Sequence, residues 1–321
     1  MALVGLILLL ALAGLVYQFV ATRLAYRRYP APGEMVAVAG HDMQLYCTGK
    51  GKPTVVMDAG LGGGVLDWQT VQPKVAKFAR VCSYDRSGLG WSESGPKPRT
   101  SPQIVEELHA LLENAGVGGP YVLVGHSFGG ANAQLYAAGH PKEVAGMVLV
   151  DSTPDLRVFD KDLRDAAAPS APSPLMLKVV VALGIDRLSP EPPGSPDPPE
   201  GLEDERNALY GSTRHLYAAL DESATINESV AEVADAAPSL GEKPLIVLSA
   251  GARQYPGFTK GQAKRFDEQY NKFEAGLTDL SENSKLVVAK DSAHYIQFDR
   301  PELVVDAIRQ VVDTARDGGR V

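Results

Sequence analysis

The sequence is poor in cysteine and has no long run of basic residues. Its 321 residues include two cysteines, Cys47 and Cys82, and neither belongs to a Cys-x-x-Cys motif or a Cys/His cluster. A zinc site is therefore not expected. Lysine and arginine number 31 against 39 aspartates and glutamates, which gives a net charge of −8, and no basic run exceeds Arg27-Arg28. This balance argues against a nucleic-acid partner.

The N-terminal stretch lacks charged side chains. Over residues 1–21 the only strongly polar side chain is Gln18. Three arginines follow closely: Arg23, Arg27 and Arg28. About 20 apolar residues in a helix span the ~30 Å hydrocarbon layer of a membrane. A signal peptide would have a basic region before the apolar run, and an amphipathic helix would have a polar face. This run has neither. We therefore predict that residues 1–29 form a retained membrane anchor with a basic flank.

A Gly-x-Ser-x-Gly motif is the most informative short stretch. The pentapeptide Gly-His-Ser-Phe-Gly occupies residues 125–129, after β-prone residues and before the helix-type composition of residues 131–138. The pattern predicts a strand, a sharp turn and a helix, with Ser127 at the tip of the turn. The alternative is a glycine-rich turn with an incidental serine. The flanking strand and helix signals disfavour that alternative.

Strand and helix patterns alternate along most of the chain. After a hairpin at residues 33–49, apolar runs predict buried strands at 54–58, 80–84, 120–124, 144–151, 244–249 and 285–289. Helical spacing falls between several of them, for example at 71–79. Such alternation predicts a mostly parallel sheet with helices on both faces.

One long insertion interrupts the alternation. Residues 152–238 contain four helical pieces and a proline-dense linker at 189–199. The helical pieces are predicted at 156–167, 174–188, 202–220 and 226–236. An insertion of this length, set where strand ends converge, is placed to act as a lid.

Four motifs in this order resemble the α/β-hydrolase fold family. They are the Ser127 turn, the loop 85–92, the glycine loop after Asp58, and Ser-Ala-His at 292–294. The resemblance covers about residues 35–151 and 243–313. It implies an eight-stranded, mostly parallel sheet with an antiparallel second strand, and a catalytic core at 30–151 and 239–321 with a helical lid at 152–238.

The resemblance also implies a nucleophile, acid and histidine in that order. Ser127 needs a base within hydrogen-bond reach. Of six histidines, only His294 lies in a loop at the C-terminal end of a late strand, and it is the expected base. His126 is adjacent in sequence to Ser127, but on a strand its side chain points away from that of Ser127. We expect His126 to support the site.

The acid is expected in a less common place. Most of the family carries it after the seventh strand, but residues 250–257 contain no aspartate or glutamate. A minority, including pancreatic-type lipases, place it at the end of the sixth strand, where this chain has Asp151. Asp155 is the alternative. Asp151 could also be a strand-end residue that caps the next turn.

The oxyanion hole is expected to consist of backbone amides. One belongs to Phe128, directly after the nucleophile, and the other to Leu61, in the glycine loop. Many lipases carry His-Gly just before the second donor, where this chain has Ala-Gly, so only the backbone contribution transfers. Asp85 and Arg86 are expected to pair within their own loop and to be structural.

In this fold the second and fourth strands, which hold Cys47 and Cys82, are neighbours. Either a disulfide or two buried unpaired thiols is expected. A disulfide would place the catalytic domain outside the cytoplasm. The arginines after the apolar segment favour the opposite side. The two observations leave the side of the membrane open.

Together these features predict a membrane-tethered serine hydrolase of esterase or lipase type, which acts on carboxylic esters through an acyl-enzyme on Ser127. No cofactor or metal is implied. The expected partners are a small acyl ester, lipids included, and the membrane. Apolar residues at 175–181 favour a medium or long acyl chain, or else form the packing core of the lid. An amidase of proline-iminopeptidase type, a lactonase and a non-catalytic ligand-binding protein are the alternatives.

Overall fold

A computed structural model describes residues 1–167, 173–188, 201–236 and 239–321. Within them the strands are β1 (Glu34–Val38), β2 (His41–Thr48), β3 (Thr54–Asp58), β4 (Val81–Tyr84), β5 (Tyr121–His126), β6 (Val144–Val150), β7 (Leu245–Ala250) and β8 (Ser284–Ala289). They form one sheet in the order β1-β2-β4-β3-β5-β6-β7-β8. Strand β2 is antiparallel to both of its neighbours, and all the other neighbouring pairs are parallel.

Helices flank this sheet and connect its strands. They are α1 (Ala2–Arg28), α2 (Gln72–Val75), α3 (Ser101–Asn114), α4 (Phe128–Gly139), α5 (Lys161–Ala167), α6 (Pro174–Ala182), α7 (Glu203–Tyr210), α8 (Thr213–Ala236), α9 (Lys260–Gly276), α10 (Ile296–Asp299) and α11 (Pro301–Asp317). Helices α5 to α8 lie between β6 and β7 and, with the turns that join them, are called the cap below.

The centre of the sheet is covered on both faces. Every residue of β3, β4, β5 and β7 is buried. Because successive side chains of a strand point to opposite faces, β5 contributes to two apolar layers. Leu123 packs in the layer that contains α3 and α4, whereas Val122 and Val124 pack in the layer that contains α11. Such double burial explains the continuous apolar runs of the sequence.

The predicted α/β-hydrolase fold, with its antiparallel second strand, is confirmed by this topology. The helix predictions were wrong in extent at 71–79 and in all four pieces of the insertion. The piece at 156–167 divides into a 3-10 turn (Leu156–Val158) and α5, and the α-helix predicted at 174–188 ends at Ala182. Helix α2 is a single turn, shorter than the predicted 71–79. The pieces at 202–220 and 226–236 divide elsewhere, because the chain breaks at Gly211-Ser212 and α8 then runs on without interruption. The Ser212 hydroxyl accepts a hydrogen bond from the His215 amide at 3.3 Å, and no glycine or proline interrupts α8. The linker at 189–199 lies outside the described residues.

Cys47 and Cys82 are joined by a disulfide. The antiparallel pairing of β2 with β4 sets the two residues directly opposite each other. Of the two expectations from the sequence, the structure contains the disulfide, which ties the second strand to the fourth.

Helix α1 is long and apolar enough to cross a membrane. The first ten residues are exposed, and buried and half-buried positions then recur about every three or four residues, at Ala11, Gly14, Gln18, Ala21, Thr22, Ala25 and Tyr26. This spacing defines one face of a helix. The C-terminal part of α1 therefore packs on the protein while the N-terminal part extends free of it.

Candidate active site

The turn after β5 holds Ser127 in a strained conformation. Ser127 has φ +51° and ψ −118°, a region that residues other than glycine rarely occupy. A side chain on Gly129 would collide with the Asp58 carbonyl oxygen, and one on Gly125 would collide with the Gly129 backbone. The two glycines therefore permit the close passage of β5, α4 and the end of β3. The Gly-x-Ser-x-Gly spacing is a packing requirement of this turn.

The Ser127 hydroxyl lies beside Thr153. The two side-chain oxygens share a hydrogen bond at 3.0 Å, and the Thr153 amide donates to the Ser127 carbonyl at 3.1 Å. Among the described residues no hydrogen bond joins Ser127 to His294. Catalytic hydrogen bonds in unliganded sites are often long and tighten only when substrate is bound. Nothing in the sequence marked Thr153, because its position depends on how the chain turns after β6.

His294 and Asp151 form a hydrogen-bonded pair. His294 Nδ1 donates to Asp151 Oδ2 at 2.6 Å. Asp151 is fully buried at the end of β6, with φ +43°. Its Oδ1 also accepts from the Ala250 amide at 2.9 Å. Of the two acids proposed from the sequence, Asp151 is the one brought to His294.

Asp155 has a different role. Its carboxylate accepts from the Arg157 amide at 2.7 Å and from Arg157 Nε at 2.5 Å. In this way it caps the 3-10 helix Leu156–Val158. Asp155 is thus occupied locally, away from the histidine.

Arg253 occupies the loop after β7, which contains no acid. Its Nε lies 3.0 and 3.1 Å from the two carboxylate oxygens of Asp151, and its Nη2 donates to Asp151 as well. The guanidinium stacks on the Tyr270 ring at 4.1 Å. Burial would raise the pKa of Asp151, but the hydrogen bonds and charges of His294 and Arg253 together lower it to about 2. Asp151 is therefore an anion held between two cationic or hydrogen-bonding groups.

His126 supports the loop that carries His294. Its Nε2 lies 3.0 Å from the His294 carbonyl oxygen, so this nitrogen carries the proton and donates. Burial and the neighbouring His294 lower the pKa of His126 to about 3. A neutral ring next to His294 adds no positive charge to the site. A Cβ on Gly60 would lie 2.9 Å from His126 Nδ1, which shows how closely the glycine loop approaches this ring.

Arg86 fixes the glycine loop by hydrogen bonds to its carbonyl groups. Its guanidinium donates to Asp58 at 2.6 Å and to the carbonyls of Ala59 and Gly60 at 2.8 and 2.7 Å. It also pairs with Glu222 of α8 at 2.7 Å. The prediction that Arg86 pairs within its own loop was wrong, because its partners lie in the glycine loop and in the cap.

The same glutamate holds the loop a second time. Glu222 Oε2 accepts a hydrogen bond from the Gly62 amide at 3.1 Å. With the carbonyls of the loop turned to Arg86, the amide of Leu61 donates to no other group among the described residues. The same is true of Phe128, the first residue of α4, where helix amides have no intrahelical partner. Both amides expected for an oxyanion hole are thus available.

Asp85 is structural. Its carboxylate accepts from the Val65 amide at 2.9 Å and from the Trp91 amide at 3.0 Å. Burial raises the pKa of Asp85 to about 6. These bonds join its own loop to the turn that follows the glycine loop.

A cluster of possible metal ligands lies at the opposite end of the sheet. His109, His140 and Glu143 have ligand atoms within 4.8 Å of one another. The two imidazole rings stack at 4.1 Å, and His109 Nε2 lies 3.2 Å from the Glu143 carboxylate. Strands β5 and β6 begin at this end of the sheet, whereas Ser127 follows the other end of β5. The cluster is therefore remote from Ser127 and belongs to a separate surface.

Comparisons with known proteins agree with this architecture. YqjL of Bacillus subtilis (strain 168), itself uncharacterized, is 26% identical over 260 residues, which cover 80% of this chain and 83% of that protein. The crystal structure of a membrane phospholipase A, a bacterial virulence factor, superimposes with TM-score 0.64 at 21% identity and covers 98% of both chains. The enol-lactonase from Burkholderia xenovorans LB400 superimposes with TM-score 0.59 at 18% identity, over 87% of this chain and 99% of that one. At such identities these structures establish the fold alone.

The family model described as "Alpha/beta hydrolase family" matches residues 55–307. The match begins within β3, ends within α11 and includes every residue of the candidate site. The chain therefore belongs to the alpha/beta hydrolase family.

Proposed function

We propose that this hydrolase cleaves carboxylic esters through a covalent acyl-enzyme on Ser127. One observation carries the proposal: the hydrogen-bonded pair of His294 and Asp151 lies at the same end of the sheet as a serine on a strained strand-to-helix turn. A serine hydroxyl becomes a useful nucleophile only beside a base that a third group orients. Asp151 orients His294 by accepting its Nδ1 proton, which leaves Nε2 free to act.

The steps follow from these roles. Ser127 Oγ attacks the acyl carbon while His294 Nε2 takes its proton, and a tetrahedral oxyanion forms. The amides of Leu61 and Phe128 donate to that oxyanion, each worth ~2.7–4 kcal/mol in comparable enzymes. Collapse expels the alcohol, which receives the proton from His294. Water, activated by the same nitrogen, then releases the acid and restores Ser127.

We infer that the substrate is a lipid-like ester with a medium or long acyl chain. The apolar helix α1 belongs to the same chain as the candidate site, and α6 of the cap exposes large apolar side chains. The superimposed phospholipase A is named as a membrane enzyme, and the similarity to it extends over almost the whole chain. A substrate that partitions into membranes suits an enzyme held at one.

We also propose that α1 is a retained anchor that spans the membrane and that the catalytic domain faces an oxidising compartment. The Cys47–Cys82 disulfide supports this side, because disulfides persist outside the cytoplasm. The arginines at the end of α1 favour the other side. We give the disulfide more weight, since basic flanks bias orientation without fixing it.

Active-site labelling tests the catalytic proposal. A fluorophosphonate probe should label the full-length protein and a Ser94→Ala variant, whose serine is exposed, but not Ser127→Ala. Turnover of p-nitrophenyl esters should disappear in Ser127→Ala alone and should increase from acetate towards longer acyl chains. Absence of both labelling and ester turnover in the wild-type protein would favour a ligand-binding role without catalysis.

A further inference from the structure

The apolar face of α6 is exposed although it belongs to the cap of the catalytic domain. Leu175, Met176 and Val179 are 74%, 58% and 49% exposed. Just after the helix, Ile185 and Leu188 are exposed as well. Contiguous apolar surface on a soluble domain usually marks a site of protein or membrane contact. We propose that this face of α6 is a membrane-contact surface that lies in the bilayer beside α1.

The contact between α6 and α1 sets the depth of this surface. A Cβ on Gly14 of α1 would lie 2.7 Å from the Leu183 carbonyl oxygen, and one on Gly184 would lie 3.0 Å from the Tyr17 ring. The C-terminal end of α6 therefore touches α1 between residues 14 and 18. The two helices can approach this closely because neither glycine has a side chain.

These positions lie inside the apolar run of α1. If residues 2–21 fill the ~30 Å hydrocarbon layer, residue 14 lies seven residues, or ~10 Å, below the edge of that layer. The end of α6 must then lie at about the same depth. Amphipathic helices on membrane surfaces bury their apolar faces by ~5–10 Å. The cap cannot remain above the bilayer while α1 spans it.

The polar side chains Gln18 and Arg187 have partners at this depth, whereas Asp186 Oδ1 is buried without one among the described residues. Gln18, the single polar side chain of the run, is buried and donates to the Gly211 carbonyl at 2.8 Å. Arg187 Nε donates back to Gln18 at 2.6 Å. Paired polar groups are what a low-water environment requires.

The one charged residue of α6 turns away from the exposed face. Lys178 Nζ lies 3.5 Å from the Asp221 carboxylate of α8 and 5.6 Å from the centre of the Tyr217 ring. Its charge is thus directed at the cap, and the residues that face outward are apolar. This arrangement suits an acyl-chain environment.

A groove beside the contact between α6 and α1 combines apolar and positively charged residues. It has a volume of about 750 Å³ and is lined by apolar residues of α1 and by the arginines Arg23, Arg27 and Arg214. Arginines at the level of lipid head groups attract anionic phospholipids. The partner of this surface is therefore a phospholipid bilayer.

The inference depends on the proposed anchorage and is independent of the ester chemistry. It is tested with single cysteines in the full-length protein, each labelled with the environment-sensitive fluorophore NBD, since the natural cysteines are paired. The reporters are Met176→Cys and Val179→Cys on α6, Leu8→Cys on α1, and Val288→Cys on β8. Val288 is a matched control because it is apolar and 50% exposed but lies on an edge strand. The vesicles contain phosphatidylcholine and phosphatidylglycerol, with doxyl quenchers near the head group or at the chain end.

We expect the α6 reporters to lose fluorescence to both quenchers, because the end of α6 lies ~10 Å below the edge of a hydrocarbon layer ~30 Å thick. Leu8→Cys should be quenched most by the deep quencher, and Val288→Cys by neither. Quenching of Leu8→Cys without quenching of the α6 reporters would overturn this inference and leave the anchor intact. Lack of quenching at Leu8→Cys would overturn the anchorage itself. A blue-shifted but unquenched α6 reporter would mean that a second copy of the chain covers this face.

Discussion

Among single residues, Asp151 has the most unusual surroundings. A buried carboxylate would ordinarily be protonated, yet Asp151 is kept ionised by one arginine and one histidine. Because Arg253 already offsets its charge, His294 is oriented by a carboxylate that is paired on both sides. The loop that in most of the family supplies the acid here supplies the cation.

Removing that cation should be costly. In Arg253→Met, the Asp151 anion loses its buried partner, and breaking such a pair typically costs ~3–5 kcal/mol of unfolding free energy. Urea unfolding of the detergent-solubilised protein measures this loss. Arg157→Met is the control, because Arg157 pairs with Asp155 but is more than half exposed, and such pairs contribute ~0–1 kcal/mol. Equal losses in the two variants would show that Arg253 is not needed to hold Asp151.

His215 provides a pH test of buried neutral histidine. Burial lowers the pKa of His215 to about 3, and its Nδ1 accepts from the Gly90 amide. Between the unfolded pKa of about 6.5 and the folded value, the unfolded chain binds the extra proton, so His215 reduces stability as the pH falls.

An asparagine can keep the acceptor without titrating. The unfolding free energy of wild type relative to His215→Asn should therefore fall by about 1.4 kcal/mol per pH unit between pH 6 and pH 4. Denaturation curves at several pH values measure this difference. A difference that does not vary with pH would mean that His215 is charged in the folded protein.

Site residues that belong to short motifs could be predicted from the sequence. Site residues whose position depends on contacts between distant parts of the chain could not. The motif of its own turn indicates Ser127. His294 and Asp151 follow strand ends, and the order of nucleophile, acid and histidine in the family indicates them. Thr153 and Arg253 carry no local signal, because their roles arise where separate loops converge. The catalytic roles themselves stay predictions until they are measured.

Among the elements, α8 helps to fix the geometry of the candidate site. Through Glu222 it holds both Arg86 and the Gly62 amide, so one cap helix fixes the glycine loop whose amide is proposed to bind the oxyanion. The sequence could not reveal this link, since 136 residues separate the two partners. It also concealed that α8 is continuous, because its middle is rich in small polar residues.

Glu222→Gln should therefore impair catalysis as well as stability. The amide keeps an acceptor but removes the charge that compensates Arg86, so the loop should lose its fixed position. We expect kcat to fall by up to about a hundred- to a thousandfold, the range seen when an oxyanion donor is lost, with little change in KM. Ester kinetics on folded protein measure the split. Glu228→Gln, an exposed position on the same helix, should behave as wild type, and a wild-type kcat in Glu222→Gln would separate α8 from the oxyanion loop.

At the scale of the whole molecule, the disulfide links stability to location. Cys47 and Cys82 are separated by 35 residues, and a loop of that length should contribute about 3–4 kcal/mol by restricting the unfolded chain. The double variant Cys47→Ala/Cys82→Ala should unfold at correspondingly lower urea.

Thiol alkylation of protein denatured directly from cells checks the compartment. No thiol should react before reduction and two should react after it. Two reactive thiols before reduction would place the catalytic domain in a reducing compartment.

The position of the cap in the chain has a further consequence. The chain leaves the sheet at Val150 and returns at Leu245, on strands that are direct neighbours. Because the two strands are parallel, these ends lie at opposite edges of the sheet at a separation that the sheet fixes, and doubling the length of the connection would add only ~0.6 kcal/mol of closure entropy. We therefore expect the connections between the cap helices to tolerate changes in length, provided that α8 keeps Glu222 at the glycine loop. Exchange of α6 within that limit would alter the acyl-chain preference and the contact of the enzyme with its membrane in a single step.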